Sequence, residues 1–456
     1  MKRRVFTTAV LLLAAFSAMA QNNAKGYYKD VLLDGGIALT SKSFIPSTIY
    51  LDLSTQFFLS AKGTKQDPYT NTDTLLQNAI FVGSEHDENG YLLYPDGAPR
   101  FRVLYVNGGS SFAHGKSIGE EGRENIRQFI LSGGSYVGTC AGSALSSKGV
   151  FWDNGYRDEE SYFAIWPGVI RRSELGKTYT GMNIPRRSPL LRYYKYGNDL
   201  HLDSLYHNLG NHAYKGLDFP AGTEVLATYE TDTLHLKRAI AGEPSVWAYK
   251  PYENSGREVM CGSHPESIAY GERLHLMSAM LLYAMDGNGY QTVKGELQSG
   301  EERVMDRSTH DHDPAFTKIG DKQYHHFLVR VPKKTKTLRI YLKAVPAVST
   351  ESVAASADST AKAASAGTGQ PQAPKEPDLF VFARRGKFAY KGESDAQDLS
   401  SGIGKVVTIN NPKAGNWYIS VFCNTTVETE ETRYGTVYTG NLEVLNGVPY
   451  IIEAEY

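Results

Sequence analysis

The chain has 456 residues, 41% of them hydrophobic and 21% charged, with a formal net charge of −1. That length exceeds one ordinary domain and fits two or three. The even charge balance offers no basic face for nucleic-acid phosphates and no reason to expect a strongly acidic ligand. Three cysteines, Cys140, Cys261 and Cys423, exclude a disulfide-stapled scaffold and leave at least one thiol free.

In chain order, the first signal is one of targeting. Lys2, Arg3 and Arg4 precede an apolar run from Ala9 to Ala15, and Ala18-Met19-Ala20 then stand ahead of Gln21. This is the order of an export signal with its small-residue cleavage site, so residues 1–20 read as a signal peptide. The run is short of the roughly 20 residues a membrane span needs. No Cys follows it to carry a lipid, and no later stretch is long and apolar enough to span. The expectation is export to the periplasm, the cell surface or the exterior, with no membrane span.

From about Lys25 to Gly289 apolar runs alternate with helical patterns, as in an α/β domain over about 25–290. Arg102 to Val106 reads as a buried strand ending at Asn107-Gly108-Gly109. Glu120 to Leu131 carries an amphipathic helical pattern that stops at Ser132-Gly133-Gly134. Ser135 to Gly138 is a second strand, and a helix opens at Ala141. Strand, helix, strand, helix within about fifty residues predicts a parallel sheet with right-handed crossovers. Leu274 to Met285 is a further helix to pack on it. The run Tyr193-Tyr194-Lys195-Tyr196 reads equally as a pocket lining or glycan surface and as a Tyr-rich surface loop.

Residues 291–315 read as a linker. Within it, His310-Asp311-His312-Asp313 could ligate metal, but a solvated polar stretch is the better reading, and no metal or other cofactor is expected. From about 316 to 456 the pattern is short alternating strands, which predicts an all-β sandwich. His326 to Val331, Thr337 to Leu342, Leu379 to Phe382 and Trp417 to Val421 are the clearest of them. Residues 344–377, rich in Ala, Ser, Thr and Pro and free of aromatics, read as a disordered insertion.

The chemistry concentrates in two short segments. Gly138-Thr139-Cys140-Ala141-Gly142 lies between a strand and a helix, where a nucleophile on a sharp turn needs small neighbours. Amides at the start of the following helix favour a thiolate, and the oxyanion formed when it attacks a carbonyl. Ala141 is one such donor, and Gly108 or Gly109 on the adjacent strand end supplies a second. In His264-Pro265-Glu266, Pro265 biases His264 toward extended backbone, where residues two apart share a face. A base oriented by a carboxylate is what a Cys nucleophile requires. Both segments lie at strand ends, where parallel sheets place their sites. Cys261, near His264 in sequence, is a conceivable redox partner for Cys140, but its apolar neighbours favour a buried strand residue.

These motifs resemble the class I glutamine amidotransferase-like group. The wording from Val106 to Phe112 and from Gly134 to Gly142 resembles its biotin-protein ligase N-terminal-like branch. The resemblance implies a flavodoxin-like, parallel-sheet, three-layer sandwich with a Cys140-His264-Glu266 triad. It also implies a pocket near Asn107, Ser110, Asn211 and His212, although Tyr206 to Ala213 stands where the branch often has Asn-Gly-Gly. The strands from His326, with Gly415 to Val421, resemble the bacterial pre-peptidase C-terminal domain. That implies a non-catalytic sandwich with a role in export or in cell-envelope or polymer contact. The function expected is a Cys-dependent hydrolase of a small-molecule or peptide amide. The alternatives are a binding or scaffold protein on the same fold and, ranked below it, a biotin-related role.

Overall fold

A computed structural model describes residues 25–34, 45–58, 89–90, 92–197, 199–217, 219–231, 235–308, 313–346, 376–432 and 435–456. The expected signal peptide, His310 to His312 and nearly all of the expected insertion lie outside the described residues. Asp313 is described, and it accepts a hydrogen bond from Arg307 at 2.7 Å. No cluster of metal-ligating side chains occurs among the described residues, and no helix among them is long and apolar enough to cross a membrane.

The first part is an α/β sandwich. In chain order it holds β1 (Lys29–Asp34), α1 (Ile45–Tyr50), β2 (Thr55–Phe58), β3 (Phe101–Val106), α2 (Ser111–Leu131), β4 (Ser135–Thr139) and α3 (Ala141–Ser146). There follow β5 (Ser147–Trp152), β6 (Gly155–Asp158), β7 (Trp166–Arg172), β8 (Thr178–Asn183), β9 (His201–His207), β10 (Asn211–Ala213), β11 (Glu224–Tyr229), β12 (Pro244–Tyr249), β13 (Glu258–Cys261) and α4 (Gly271–Met285). The main sheet runs β2-β1-β3-β4-β13-β12-β11-β8-β9. Its first five strands are parallel, as the sequence pattern implies, and the last four add antiparallel. No α-helix separates β8, β9, β11, β12 and β13, and without a crossover helix neighbouring strands return antiparallel.

Helices on both faces explain why β3 is buried at all six positions; a strand covered on two sides loses the apolar-polar alternation. Ile126, Phe129 and Ile130 of α2 pack with Leu104, Val106 and Tyr136 on one face. Leu276, Met277, Met280 and Leu281 of α4 pack with Val103, Tyr105, Val137 and Val259 on the other. Each such side chain contributes about 1.5–3 kcal/mol by leaving water. Glu120 to Leu131 forms the second limb of α2, whose first limb begins at Ser111; the two meet at Gly119, with φ 78°. The Tyr193 to Tyr196 run is no surface loop. Tyr193 and Tyr196 are buried in the core under α4, and Tyr194 stacks on His275 at 4.4 Å. A second, four-stranded sheet, β10-β7-β5-β6, stands beside the Cys140 elbow.

The second part is an all-β sandwich. It contains β14 (Val293–Glu296), β15 (Arg303–Met305), β16 (Tyr324–Val331), β17 (Thr337–Lys343), β18 (Leu379–Arg385), β19 (Ala396–Asp398), β20 (Lys405–Asn410), β21 (Gly415–Cys423), β22 (Glu428–Thr432), β23 (Gly435–Gly440) and β24 (Tyr450–Glu455). One sheet is β14-β16-β21-β18-β19, the facing one β15-β24-β17-β20, and β22 and β23 form a hairpin. The stretch expected to be a linker, 291–315, supplies β14 and β15. Both are only three or four residues long, too short to show an alternating pattern, so their pairing with β16 and β24 left no signal in the sequence. The two parts share one continuous core, in which Leu92, Leu93 and Phe101 join Ile319, Val448 and Tyr450. Arg100 and Asp321 lie 2.6 Å apart across the junction, 1% and 0% exposed.

Candidate active site

Because β3, β4 and β13 are parallel, their C-terminal ends leave the sheet at one edge, with Val106 opposite Gly138 and Cys261 opposite Thr139. Asn107-Gly108, Cys140 and the segment after Cys261 are thereby delivered to the same place. Cys140 follows β4 directly and opens α3 with φ 48° and ψ −104°. A non-glycine residue there is strained, and the surroundings must hold it. They do so with three contacts: the Cys140 amide donates to the Cys261 carbonyl at 2.8 Å, and the Cys140 carbonyl accepts from Ser143 Oγ at 2.7 Å and Asn211 Nδ2 at 2.8 Å.

The glycines of the elbow are steric requirements. A Cβ on Gly142 would stand 2.1 Å from the Val106 carbonyl oxygen, and one on Gly138 would stand 2.5 Å from the Gly142 backbone. Gly108 is the third. A Cβ there would lie 2.4 Å from the His264 ring and 3.3 Å from Cys140 Cβ, which shows how closely the loop, His264 and Cys140 meet.

His264 Nδ1 donates to Glu266 Oε1 at 2.8 Å, and the Cys140 side chain is the ring's other hydrogen-bond partner. With Nδ1 held by Glu266, Nε2 is the nitrogen left for the sulfur. The His264 amide is anchored in turn on the Tyr206 carbonyl at 2.9 Å. Burial disfavours a charged ring, but the Glu266 carboxylate and the hydrogen bonds from Cys140 and Glu266 outweigh it and raise the His264 pKa to about 11. The ring therefore carries its proton through neutral pH. A cation beside the sulfur is the setting in which a thiol becomes a nucleophile. Glu266 is 4% exposed and Cys140 8%; Gly109 and Ser110 at the mouth are exposed.

Ala141 is the first residue of α3, so its amide has no acceptor within the helix. The Gly142 amide is taken by the Asn107 carbonyl at 3.0 Å, which ties the Asn107 loop to the elbow. Ser110 caps α2 without a side-chain bond. Asn211 reaches the Cys140 backbone, but His212, the next residue on β10, points to the other side. It is 1% exposed, its Nδ1 lies 3.2 Å from the Ala213 carbonyl and 3.6 Å from Glu243, and burial pushes its pKa down to about 4. It does not join Cys140, because neighbouring strand residues face opposite ways.

Two groups carry no local signal in the sequence. His207, fully buried behind the site, bonds Ser263 Oγ at 2.8 Å; burial, then the charges of His264 and His212, lower its pKa to about 4. Arg172 ends β7 opposite Asn211. The Tyr206 ring lies 5.5 Å from His264 and 5.8 Å from the exposed Tyr179, forming an aromatic wall. Cys261 is fully buried and its thiol is pushed up by burial, as is that of Cys423; all three cysteines are unpaired. A cleft of about 250 Å³ between the two parts, lined by Tyr94, Asp96, Gln128, Lys294 and His326 among others, does not include Cys140.

Residues 98–306 match the family model described as biotin-protein ligase, N terminal, a segment that contains the elbow, the Gly108-Gly109 loop, His264 and Glu266. No curated protein sequence matches the chain. Among solved structures it is similar to a glutamine amidotransferase at 16% identity and TM-score 0.32, covering 55% of this chain and 97% of that one. It is similar to a putative GMP synthase component from Thermoplasma acidophilum at 11% identity and TM-score 0.32, covering 56% and 93%. PurLQS from Thermotoga maritima aligns at 11% identity and TM-score 0.33, covering 56% and 95%.

Proposed function

We propose that the chain is an exported cysteine-dependent amide hydrolase, with Cys140 as nucleophile, His264 as proton carrier and Glu266 as the group that orients it. The observation that carries this reading is the strained Cys140 turn, hydrogen-bonded to an imidazole whose far nitrogen is held at 2.8 Å by a buried carboxylate. The Cys140 thiolate attacks the amide carbonyl carbon, a C–S bond forms, and the carbonyl electrons move to oxygen, where the Ala141 and Gly109 amides receive them. Protonated His264 gives its proton to the amide nitrogen, the C–N bond breaks, and the amine leaves. Neutral His264 then takes a proton from water, the hydroxide attacks the thioester, and the C–S bond breaks to return thiolate, imidazolium and a carboxylic acid. The export reading rests on the first twenty residues, and the β-sandwich serves in this reading as a non-catalytic attachment to envelope or polymer.

Alkylation tests it. On the full chain, iodoacetamide labels Cys140 at least about tenfold faster than an ordinary exposed thiol, and Cys140→Ala abolishes the fast phase. A labelling rate no faster than that of an ordinary thiol would falsify the reading and favour a binding protein with an unused triad.

A further inference from the structure

Arg172 stands on the strand pair that supports Cys140, and no carboxylate among the described residues neutralises it. It stands directly opposite Asn211 in the β7–β10 pair, and opposed residues of an antiparallel pair send their side chains to the same face. Asn211 Nδ2 reaches the Cys140 carbonyl at 2.8 Å, so the Arg172 side chain projects on the Cys140 side of the small sheet. Arg172 Nη2 donates to Ser111 Oγ at 2.9 Å and lies 3.5 Å from the Tyr162 hydroxyl; Ser111 and Tyr162 are themselves 2.8 Å apart. Ser111 is three residues beyond Gly108, where an added Cβ would meet both His264 and Cys140. The guanidinium is packed over the Phe112 ring at 4.8 Å and the Trp152 ring at 5.6 Å.

These contacts fix the guanidinium without satisfying it. It has five N–H donors, and among the described residues its hydrogen bonds run only through Nη2, to two hydroxyls. Its Nε is buried and unbonded, as are those of Arg102 and Arg171, so the missing carboxylate is what sets it apart. Nearby arginines differ: Arg102 meets Asp30 at 3.0 Å and Arg171 meets Asp153 at 3.6 Å. A rigid, aromatic-walled guanidinium lacking an anion is built to receive a carboxylate.

We propose that Arg172 is the specificity-determining residue of this site and that the substrate is an amide bearing a free carboxylate near the scissile bond. The proposal rests on the hydrolase reading and narrows its substrate class. Substrate enters past Gly109 and Ser110, its carboxylate on Arg172 and its carbonyl over Cys140, with the Tyr206 wall on the His264 side.

Two alkylating agents of nearly equal size separate the two readings. Iodoacetate carries a carboxylate and iodoacetamide does not, so their rate ratio at Cys140 reports Arg172, while the iodoacetamide rate alone reports the nucleophile. The expected result is a fall of at least about tenfold in the iodoacetate-to-iodoacetamide ratio in Arg172→Gln, with partial recovery in Arg172→Lys. A ratio unchanged in Arg172→Gln overturns the proposal and leaves the hydrolase reading standing. Should Arg172→Gln fail to fold, the natural chain still decides. Acetate then slows iodoacetamide labelling of Cys140 more than acetamide does at equal concentration, and equal protection by the two overturns the proposal.

Discussion

Arg100 and Arg172 are sheltered in the same way, Arg100 over the Tyr28 ring at 4.9 Å and Arg172 over the Phe112 ring at 4.8 Å. Their charges are treated differently. At the junction, Arg100 meets Asp321 at 2.6 Å with both side chains out of solvent. Asp321 is also contacted by Thr426 Oγ1 and the Val427 amide. Burial raises the pKa of Asp321, and Arg100 is the largest influence opposing that rise. The junction thus closes its charges on one another. At the Cys140 edge the Glu266 carboxylate is bonded to His264, and among the described residues Arg172 meets only hydroxyls and rings. Charge confined to a seam serves packing, whereas charge without a countercharge on the strand pair that supports Cys140 is available to a ligand.

The largest expected effect lies at the seam. Asp321→Asn leaves Arg100 buried without its countercharge and costs about 3–5 kcal/mol of stability, read by denaturant unfolding. The iodoacetamide rate at Cys140 in the folded protein stays as it was, because Asp321 belongs to the other region. A loss of labelling at equal folded fraction would show that the two regions are coupled.

Next comes the edge itself. Glu266→Gln removes the carboxylate that raises His264, and we expect the rate of Cys140 alkylation at neutral pH to fall about tenfold to a hundredfold. A histidine whose folded pKa is raised adds stability that is complete below the unfolded value of 6.5 and is lost as pH climbs through about 11. Unfolding curves of the natural chain should therefore lose stability between these limits. Glu266→Gln should show a flatter dependence there, and parallel curves would argue against the ion pair.

The smallest effect is expected at Glu258, which lies at the opposite end of β13 from Cys261. It accepts a hydrogen bond from Ser146 at the end of α3, and burial raises its pKa from 4.5 to about 8, the Ser146 bond opposing the shift. The folded protein keeps this proton after the unfolded chain has lost it, so stability falls as pH rises from 4.5 to 8. Glu258→Gln should match the natural chain at acid pH and gain about 1 kcal/mol or more above pH 8, read as melting temperature against pH. A variant less stable at every pH would assign Glu258 a packing role alone.

The elbow was legible because its requirements are local. Gly138 and Gly142 flank Cys140 within five residues, and the backbone approaches of 2.5 and 2.1 Å that exclude a Cβ arise from one strand-turn-helix unit. The His264-Glu266 pair was legible from its spacing, two residues apart with a proline between them, but a 3-10 turn over Pro265–Ser267 joins them and not the extended backbone expected. Strand patterns in the sandwich were also readable, since Thr337–Lys343 alternates buried and accessible positions as a half-covered strand must. His212 misled because proximity in sequence to Asn211 says nothing about which face of β10 a residue occupies.

The sequence by itself determined that a cysteine stands on a small-residue turn and that a histidine and a carboxylate two residues apart follow a later strand end. Tertiary structure decided what surrounds them. Asn211 supports Cys140 from 71 positions away, and Arg172 meets Ser111 across 61; both depend on strand pairings that no local spacing encodes. Spacing along a chain sets backbone shape over a few residues, while the partner of a buried charge is chosen by which strands the core brings together.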